Sequence, residues 1–370
     1  MYKKMKWSDI LTIISGKNQK GVASEDGEYF IYGSGGIIGR ANDYLCPANT
    51  VIVGRKGTIN HPLYVTEPFW NIDTAFGVVA GEELLPKFLY YFCLQFNFKE
   101  LDKSTGRPSV SKADLLKIEM PIPNIEEQAR IVSRIEELFS ELDKGVETLQ
   151  VIKEQLAVYR QAVLKMVFAS MNERKSIQEV SSLVTSGSRG WAKYYNEKGV
   201  RFIRITDLTR DKIKLKNNAI QRVLLPEGVE GKRSRLQGND VLISITADLG
   251  SIALVPEDVE EAYINQHIAV VRFVNSHQGE FMAWYLKSDY GQKELLRNKR
   301  GGGKLGLGLD DIRNTLVPIV SDEVADEVVS EIESRMSVCD SIEQIVGTAL
   351  SQTEAMRQSI LKKAFEGGLN

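Results

Sequence analysis

The chain repeats itself: residues 109–170 lie on residues 306–367 without a gap, at a constant offset of 197. Asp114 falls on Asp311, Pro121-Ile122 on Pro318-Ile319, and Glu126 on Glu323. Arg160-Gln161, Leu164-Lys165 and Phe168 close the first copy, and Arg357-Gln358, Leu361-Lys362 and Phe365 close the second. A period this long is not a solenoid, whose units span tens of residues. It demands two copies of one domain-plus-helix unit, hence a body with approximate internal two-fold symmetry. Such a body suits a target that is itself made of two halves.

A length of 370 residues accommodates two or three domains that each bury a core. The apolar run Ile10–Ile14 is too short for a signal-peptide core or a membrane span, so the expected location is the cytoplasm. Cys46, Cys93 and Cys339 lack CxxC spacing, and His61, His267 and His277 are scattered, which argues against disulfides and a zinc site.

A formal net charge of −2 by itself argues against a nucleic-acid partner, but its distribution reverses that. Residues 1–124 carry a net +1 and residues 171–320 a net +5, whereas 125–170 and 321–370 carry −2 and −6. Acid sits on the repeated segments and base between them. Residues 189–235 alone hold 13 Lys and Arg against 5 acids, enough for a local field that attracts phosphate.

The repeated segments have the period of long helices. Ile135, Phe139, Leu142, Val146, Leu149, Ile152, Leu156, Tyr159, Val163 and Val167 alternate steps of three and four, a heptad seam. Val328, Ile332, Met336, Cys339, Ile342, Val346, Leu350, Met356 and Ile360 repeat it. A helix of about 40 residues, about 60 Å long, with one apolar stripe needs a partner, and the chain supplies one. Elsewhere the texture changes to short β-branched runs broken by glycine and asparagine. Residues 29–32, 50–53 and 76–79 predict strands in the first unit, and 201–205, 240–245 and 268–271 in the second. Asn49-Thr50-Val51-Ile52 matches Asn239-Asp240-Val241-Leu242, and Asn71-Ile72-Asp73 matches Asn265-Gln266-His267. The predicted boundaries are 1–124, 125–170, 171–320 and 321–370.

Catalytic patterns are weak or missing. Gly33-Ser34-Gly35-Gly36-Ile37-Ile38-Gly39 fails GxGxxG at Ile38 and reads as a turn between strands. No GxxxxGK[ST] loop occurs, and Asp211 with Glu230-Gly231-Lys232 is the kind of D…ExK match that charged sequences produce freely. The glycine motif that binds S-adenosylmethionine and the Asn/Asp-Pro-Pro-aromatic motif that holds a flipped base are absent from the sequence.

What remains are basic loops beside glycine turns. They carry Arg55, Lys56 and Thr58, then Lys103, Ser104 and Arg107, in the first unit. In the second they carry Ser188, Arg189 and Lys193, then Lys299, Arg300 and Lys304. Arg40, Arg201, Arg204 and Thr246 complete the candidate DNA-contacting set. Glycines let backbone N–H groups approach phosphate, Arg and Lys neutralise it, and Ser and Thr donate to it.

Met120-Pro121-Ile122-Pro123-Asn124-Ile125-Glu126-Glu127-Gln128-Ala129-Arg130-Ile131-Val132 opens the first helix, and Leu316-Val317-Pro318-Ile319 leads into the second. With the endings at residues 159–165 and 356–365, these segments resemble the specificity subunit of type I restriction-modification systems over essentially the whole chain. One departure is Ala325, where the first copy has Gln128. The resemblance implies an α+β protein: two globular mixed α/β target recognition domains joined by two long antiparallel coiled-coil helices. It implies that each domain reads half of a bipartite site on double-stranded DNA, while the helices set the spacer and hold two methyltransferase subunits, which two restriction subunits can join. The chain would carry no catalytic residue, metal or cofactor; S-adenosylmethionine, ATP and Mg2+ would belong to the partners. The rival is a coiled-coil scaffold whose basic loops bind protein.

Overall fold

The structure, a computed structural model, describes residues 2–187, 189–227, 232–297 and 306–369. The chain forms two compact units, one of residues 1–150 and 347–370 and the other of 151–346. Two long helices, Ile125–Phe168 and Asp322–Glu366, contribute one part to each unit. At 44 and 45 residues they slightly exceed the predicted length. Among the described residues no helix is long and apolar enough to cross a membrane.

Both units build one plan. In unit 1 an antiparallel sheet runs in the order Leu11–Ser15, Ala75–Ala80, Thr50–Gly54, Leu63–Val65. A second sheet of Gly36–Ala41, Tyr29–Gly33 and Phe69–Asn71 ends in a parallel pair. Unit 2 matches the first sheet with Ser181–Ser186, Ile268–Phe273, Val241–Ser244 and Ile252–Leu254. Its second sheet again closes on a parallel pair, Val200–Ile203 with Ala262–Ile264. Strands Thr50–Gly54 and Val241–Ser244 are buried on both faces, which accounts for their unbroken β-branched and aliphatic sequence. Each is entered through an asparagine in the left-handed region, Asn49 at φ 58° and Asn239 at φ 66°, a conformation asparagine tolerates better than most residues.

Each core is closed by the last aromatic ring of a long helix. Phe365 packs on Phe88 and Phe92 in unit 1 at centroid distances of 5.0 and 5.4 Å. Phe168 packs on Phe281 and Tyr285 in unit 2 at 5.6 and 5.4 Å. The helix segments pair antiparallel within each unit: early residues Ile131, Val132 and Ile135 share a core with late residues Leu361, Ala364 and Phe365. In unit 2, late residues Val163, Leu164 and Phe168 share one with early residues Ala325, Ile332 and Met336.

The seam departs from the predicted heptad at one repeated position. Tyr159 and its equivalent Met356 are 44% and 52% exposed. The next residue turns inward instead, Arg160 in the first helix and Arg357 in the second. Arg160 donates to Asp340 at 2.7 Å and to Glu343 at 2.9 Å, and Arg357 pairs with Asp143, the repeat equivalent of Asp340. A carboxylate on the facing helix makes arginine the better inward residue, and apolar periodicity cannot register such a pair.

Candidate nucleic-acid interface

The buried strand Thr50–Gly54 delivers the loop 54–58 to a junction of three other segments. Thr74 O accepts from the N–H groups of Arg55 at 2.8 Å and Lys56 at 3.2 Å. Val110 N–H donates to Arg55 O at 2.9 Å and Gly57 N–H to Pro108 O at 2.8 Å, tying in the 102–110 loop. Ser34 Oγ donates to Lys56 O at 2.8 Å, tying in the glycine-rich turn. Gly57 sits at φ +83°, and a Cβ there would come within 2.8 Å of Arg107 Nη2, so the Arg107 guanidinium lies across this glycine. The junction gathers Arg55, Lys56, Thr58 and Arg107, with Lys56, Thr58 and Arg107 exposed.

Two neighbours serve the loop itself. Lys103 pairs with Asp114 at 3.2 Å, and Ser104 donates through N–H and Oγ to Asp102 at 3.0 and 2.7 Å. Hydrogen bonds from Ser111, Lys103 and Lys117 hold the Asp114 carboxyl down at about 2. Arg40 also has local work: it donates to Gly27 O at 2.9 Å and its guanidinium stands 4.5 Å from the Phe30 ring centre.

Unit 2 forms the same junction with other side chains. Leu307 N–H donates to Ile245 O at 3.0 Å, and Thr246 bridges to Gly306 as Lys56 bridges to Ser109. Ala247, in the place of Gly57, keeps the left-handed conformation at φ 56°. Gln266 Nε2 donates to His267 Nε2 at 3.0 Å, which puts the ring proton of a neutral imidazole on Nδ1, and Nδ1–H donates to Thr246 Oγ1 at 2.7 Å. Arg210 Nε donates to Asp248 at 2.7 Å, and this contact first of all lowers the Asp248 pKa. Gly187 fits against Asn265, where a Cβ would stand 2.2 Å from the carbonyl oxygen, and the segment leads on to exposed Arg189 and Lys193.

Arg201 and Arg204 are placed differently. Arg201 donates to Lys216 O at 3.2 Å and Asn217 Oδ1 at 2.8 Å, and Arg204 lies 3.4 Å from Ala219 O and 3.8 Å from Asp207. Both staple the 216–219 excursion to its strand. Ser188, Lys299, Arg300 and Lys304 lie outside the described residues. Arg210, Gln266 and His267 were not singled out in the sequence, although the match of Asn265-Gln266-His267 to Asn71-Ile72-Asp73 pointed at the last two.

One backbone junction is thus built twice on a repeated frame, surfaced by Lys56, Thr58 and Arg107 in unit 1 and by Thr246, Gln266, His267 and the Arg210–Asp248 pair in unit 2, which defines a two-headed binding protein. The family described as type I restriction modification DNA specificity domain matches residues 1–154 and 174–344, and the chain belongs to it. It is 24% identical over 352 residues to the Escherichia coli type I restriction enzyme EcoBI specificity subunit, covering 86% of this chain and 73% of that one. It is 23% identical over 360 residues to the Methanocaldococcus jannaschii MjaVIII specificity subunit, covering 90% and 80%. In fold it is similar to a chain of a solved type I R-M system described for its assembly and conformational transition. There the TM-score is 0.75 at 16% identity, covering 99% of this chain and 98% of that one. The HsdS subunit from Thermoanaerobacter tengcongensis gives a TM-score of 0.53 at 17% identity, covering 99% and 97%.

Proposed function

We propose that the chain is the DNA sequence-specificity subunit of a type I restriction-modification system, each unit reading one half of a bipartite site. The observation that carries this is the junction built twice on a repeated frame in a chain of the specificity family. Lys56, Arg107, Arg189 and Lys193 supply phosphate contacts, which position without specifying, while Thr246 and Gln266, whose side chains His267 holds through its two ring nitrogens, present donors and acceptors suited to base edges. Two methyltransferase subunits are held on the helices and restriction subunits join through them. S-adenosylmethionine, ATP and Mg2+ are assigned to those partners and chemistry to them alone, in the cytoplasm where chromosomal DNA lies.

The helices act as the ruler. Inserting four residues into each adds about 6 Å, close to two base pairs at 3.4 Å, and a four-residue stutter is tolerated in a coiled coil. Mapping the methylated motif of cells carrying such a variant should return the same half-sites with a longer spacer. A motif changed in its specified bases at unchanged spacing would refute the ruler. The isolated chain, incubated with labelled S-adenosylmethionine and duplex DNA, should transfer no methyl group.

A further inference from the structure

In unit 1 the strands Tyr29–Gly33 and Gly36–Ala41 form a hairpin whose second strand is a sheet edge. That edge carries Ile37 and Ile38 at 55% and 53% exposure. Ile31 pairs with Gly39 and Tyr32 with Ile37, so Ile38 is the extra residue of a β-bulge. Bulges re-aim side chains at functional edges. Residues 22–24 cover the far end of that edge, where Ser24 N–H donates to Arg40 O at 3.0 Å and Ala23 bridges Ala41, and the two isoleucines stand exposed at the other end, an aggregation hazard unless a partner covers them.

The surroundings say which partner. Ser34 at the hairpin tip donates through Oγ to Lys56 O at 2.8 Å and through N–H to Thr74 Oγ1 at 3.4 Å, so the tip is bolted to the basic junction. A Cβ at Gly35 would stand 3.9 Å from Thr58 Oγ1, and Arg107 lies across Gly57. An apolar ribbon beside exposed lysine and arginine suits a surface with phosphates at its margins and apolar groups between them. The DNA major groove, about 12 Å wide, admits a two-stranded ribbon, and the apolar group it displays is the C5-methyl of thymine.

We infer that Ile37 and Ile38 are specificity-determining residues that read thymine methyl groups in the half-site bound by unit 1. The inference rests on the DNA-specificity reading above and extends it to a base. The two heads differ at this place. In unit 2 the equivalent strand Val200–Ile203 is followed by a longer polar excursion before its antiparallel neighbour Arg222–Val223, and no isoleucine pair stands at the turn.

The test uses the complex assembled with its methyltransferase subunits and the DNA motif mapped from its own methylation. Each thymine of both half-sites is replaced in turn by deoxyuridine, which removes only the methyl group. In one half-site at least one replacement should weaken binding about three- to fivefold, the free energy of burying one methyl group. The Ile37→Ala/Ile38→Ala variant should bind thymine and deoxyuridine DNA equally, and an Ile37→Val/Ile38→Val variant should keep part of the discrimination. No charge is lost, so the dependence of affinity on salt should not change. Full discrimination by the alanine variant, insensitivity of both half-sites to deoxyuridine, or two half-sites that both lack thymine would each overturn the inference. So would an alanine variant that keeps discrimination and loses its methyltransferase subunits, because the isoleucines would then face protein. Failure of the DNA-specificity reading would show separately, as an unsubstituted complex that binds no DNA sequence preferentially.

Discussion

At the end of its buried central strand, unit 1 presents Lys56, Gly57 and Thr58, with Arg107 across the glycine; unit 2 presents Thr246, Ala247 and Asp248, engaged by His267 and Arg210. The backbone scaffold is the same in both, down to the bridge Lys56–Ser109 against Thr246–Gly306 and the left-handed residue beside it. Behind the junctions the frame repeats in chemistry as well, Arg357–Asp143 matching Arg160–Asp340. The comparison teaches that main-chain hydrogen bonds hold the geometry of the head, so its side chains are free to differ between halves.

The frame is not wholly symmetric, and its largest asymmetry gives the largest expected effect. Gln128 is fully buried, donates to Glu83 O at 2.8 Å and Pro123 O at 2.9 Å, and accepts from Leu85 N–H at 2.8 Å. Its equivalent, Ala325, is simply part of the unit 2 core. Gln128→Ala should therefore cost unit 1 about 3 kcal/mol by stranding three backbone groups. Hydrogen exchange should place the loss in residues 1–150 and 347–370 and leave unit 2 protected.

The shared arginine pair should also break unequally. The Arg160 side chain is 10% exposed with two carboxylate partners, whereas Arg357 is 23% exposed and its partner Asp143 is 66% exposed. Arg160→Met should destabilise by roughly 2 kcal/mol and Arg357→Met by about 1 kcal/mol or less, measured by denaturant unfolding. Equal losses would erase this difference between the halves.

A smaller effect concerns DNA. Lys56→Ala and Arg107→Ala should each lower the slope of log affinity against log salt by about 0.9 and weaken binding by up to about tenfold. Arg201→Ala should leave that slope unchanged, because its guanidinium is engaged by Lys216 O and Asn217 Oδ1. Titrations of the assembled complex at several salt concentrations separate the two cases.

A further effect, of pH, lies in unit 2. Burial lowers the Lys287 pKa from 10.5 to about 8, while its ammonium donates to Thr209 O at 3.3 Å and Lys212 O at 3.0 Å. Between those pKa values the unfolded chain binds the proton that the folded chain has released. Stability should therefore rise with pH from about 8 towards 10, by at most about 1.4 kcal/mol per unit. Lys287→Met should abolish that part of the rise, as the difference between the two pH–stability curves would show.

The sequence alone determined the internal repeat, the two long helices, the predicted strands and the basic loops, because each is a local pattern of period, composition or turn chemistry. It placed Asn49 opposite Asn239 and the 54–58 loop in the first head. Tertiary structure decided the rest. Arg160 and Arg357 enter the seam, and Tyr159 and Met356 leave it, because their carboxylate partners lie about 180 to 210 residues away. Arg201 and Arg204, equal to Lys56 in charge and composition, became staples because the 216–219 carbonyls reach them first. His267, Gln266 and Thr246 became one group only when the Val241–Ser244 and Ile268–Phe273 strands paired. A charge or a donor is written in the chain, but whether it is free for a ligand depends on which distant partners folding brings within about 3 Å of it.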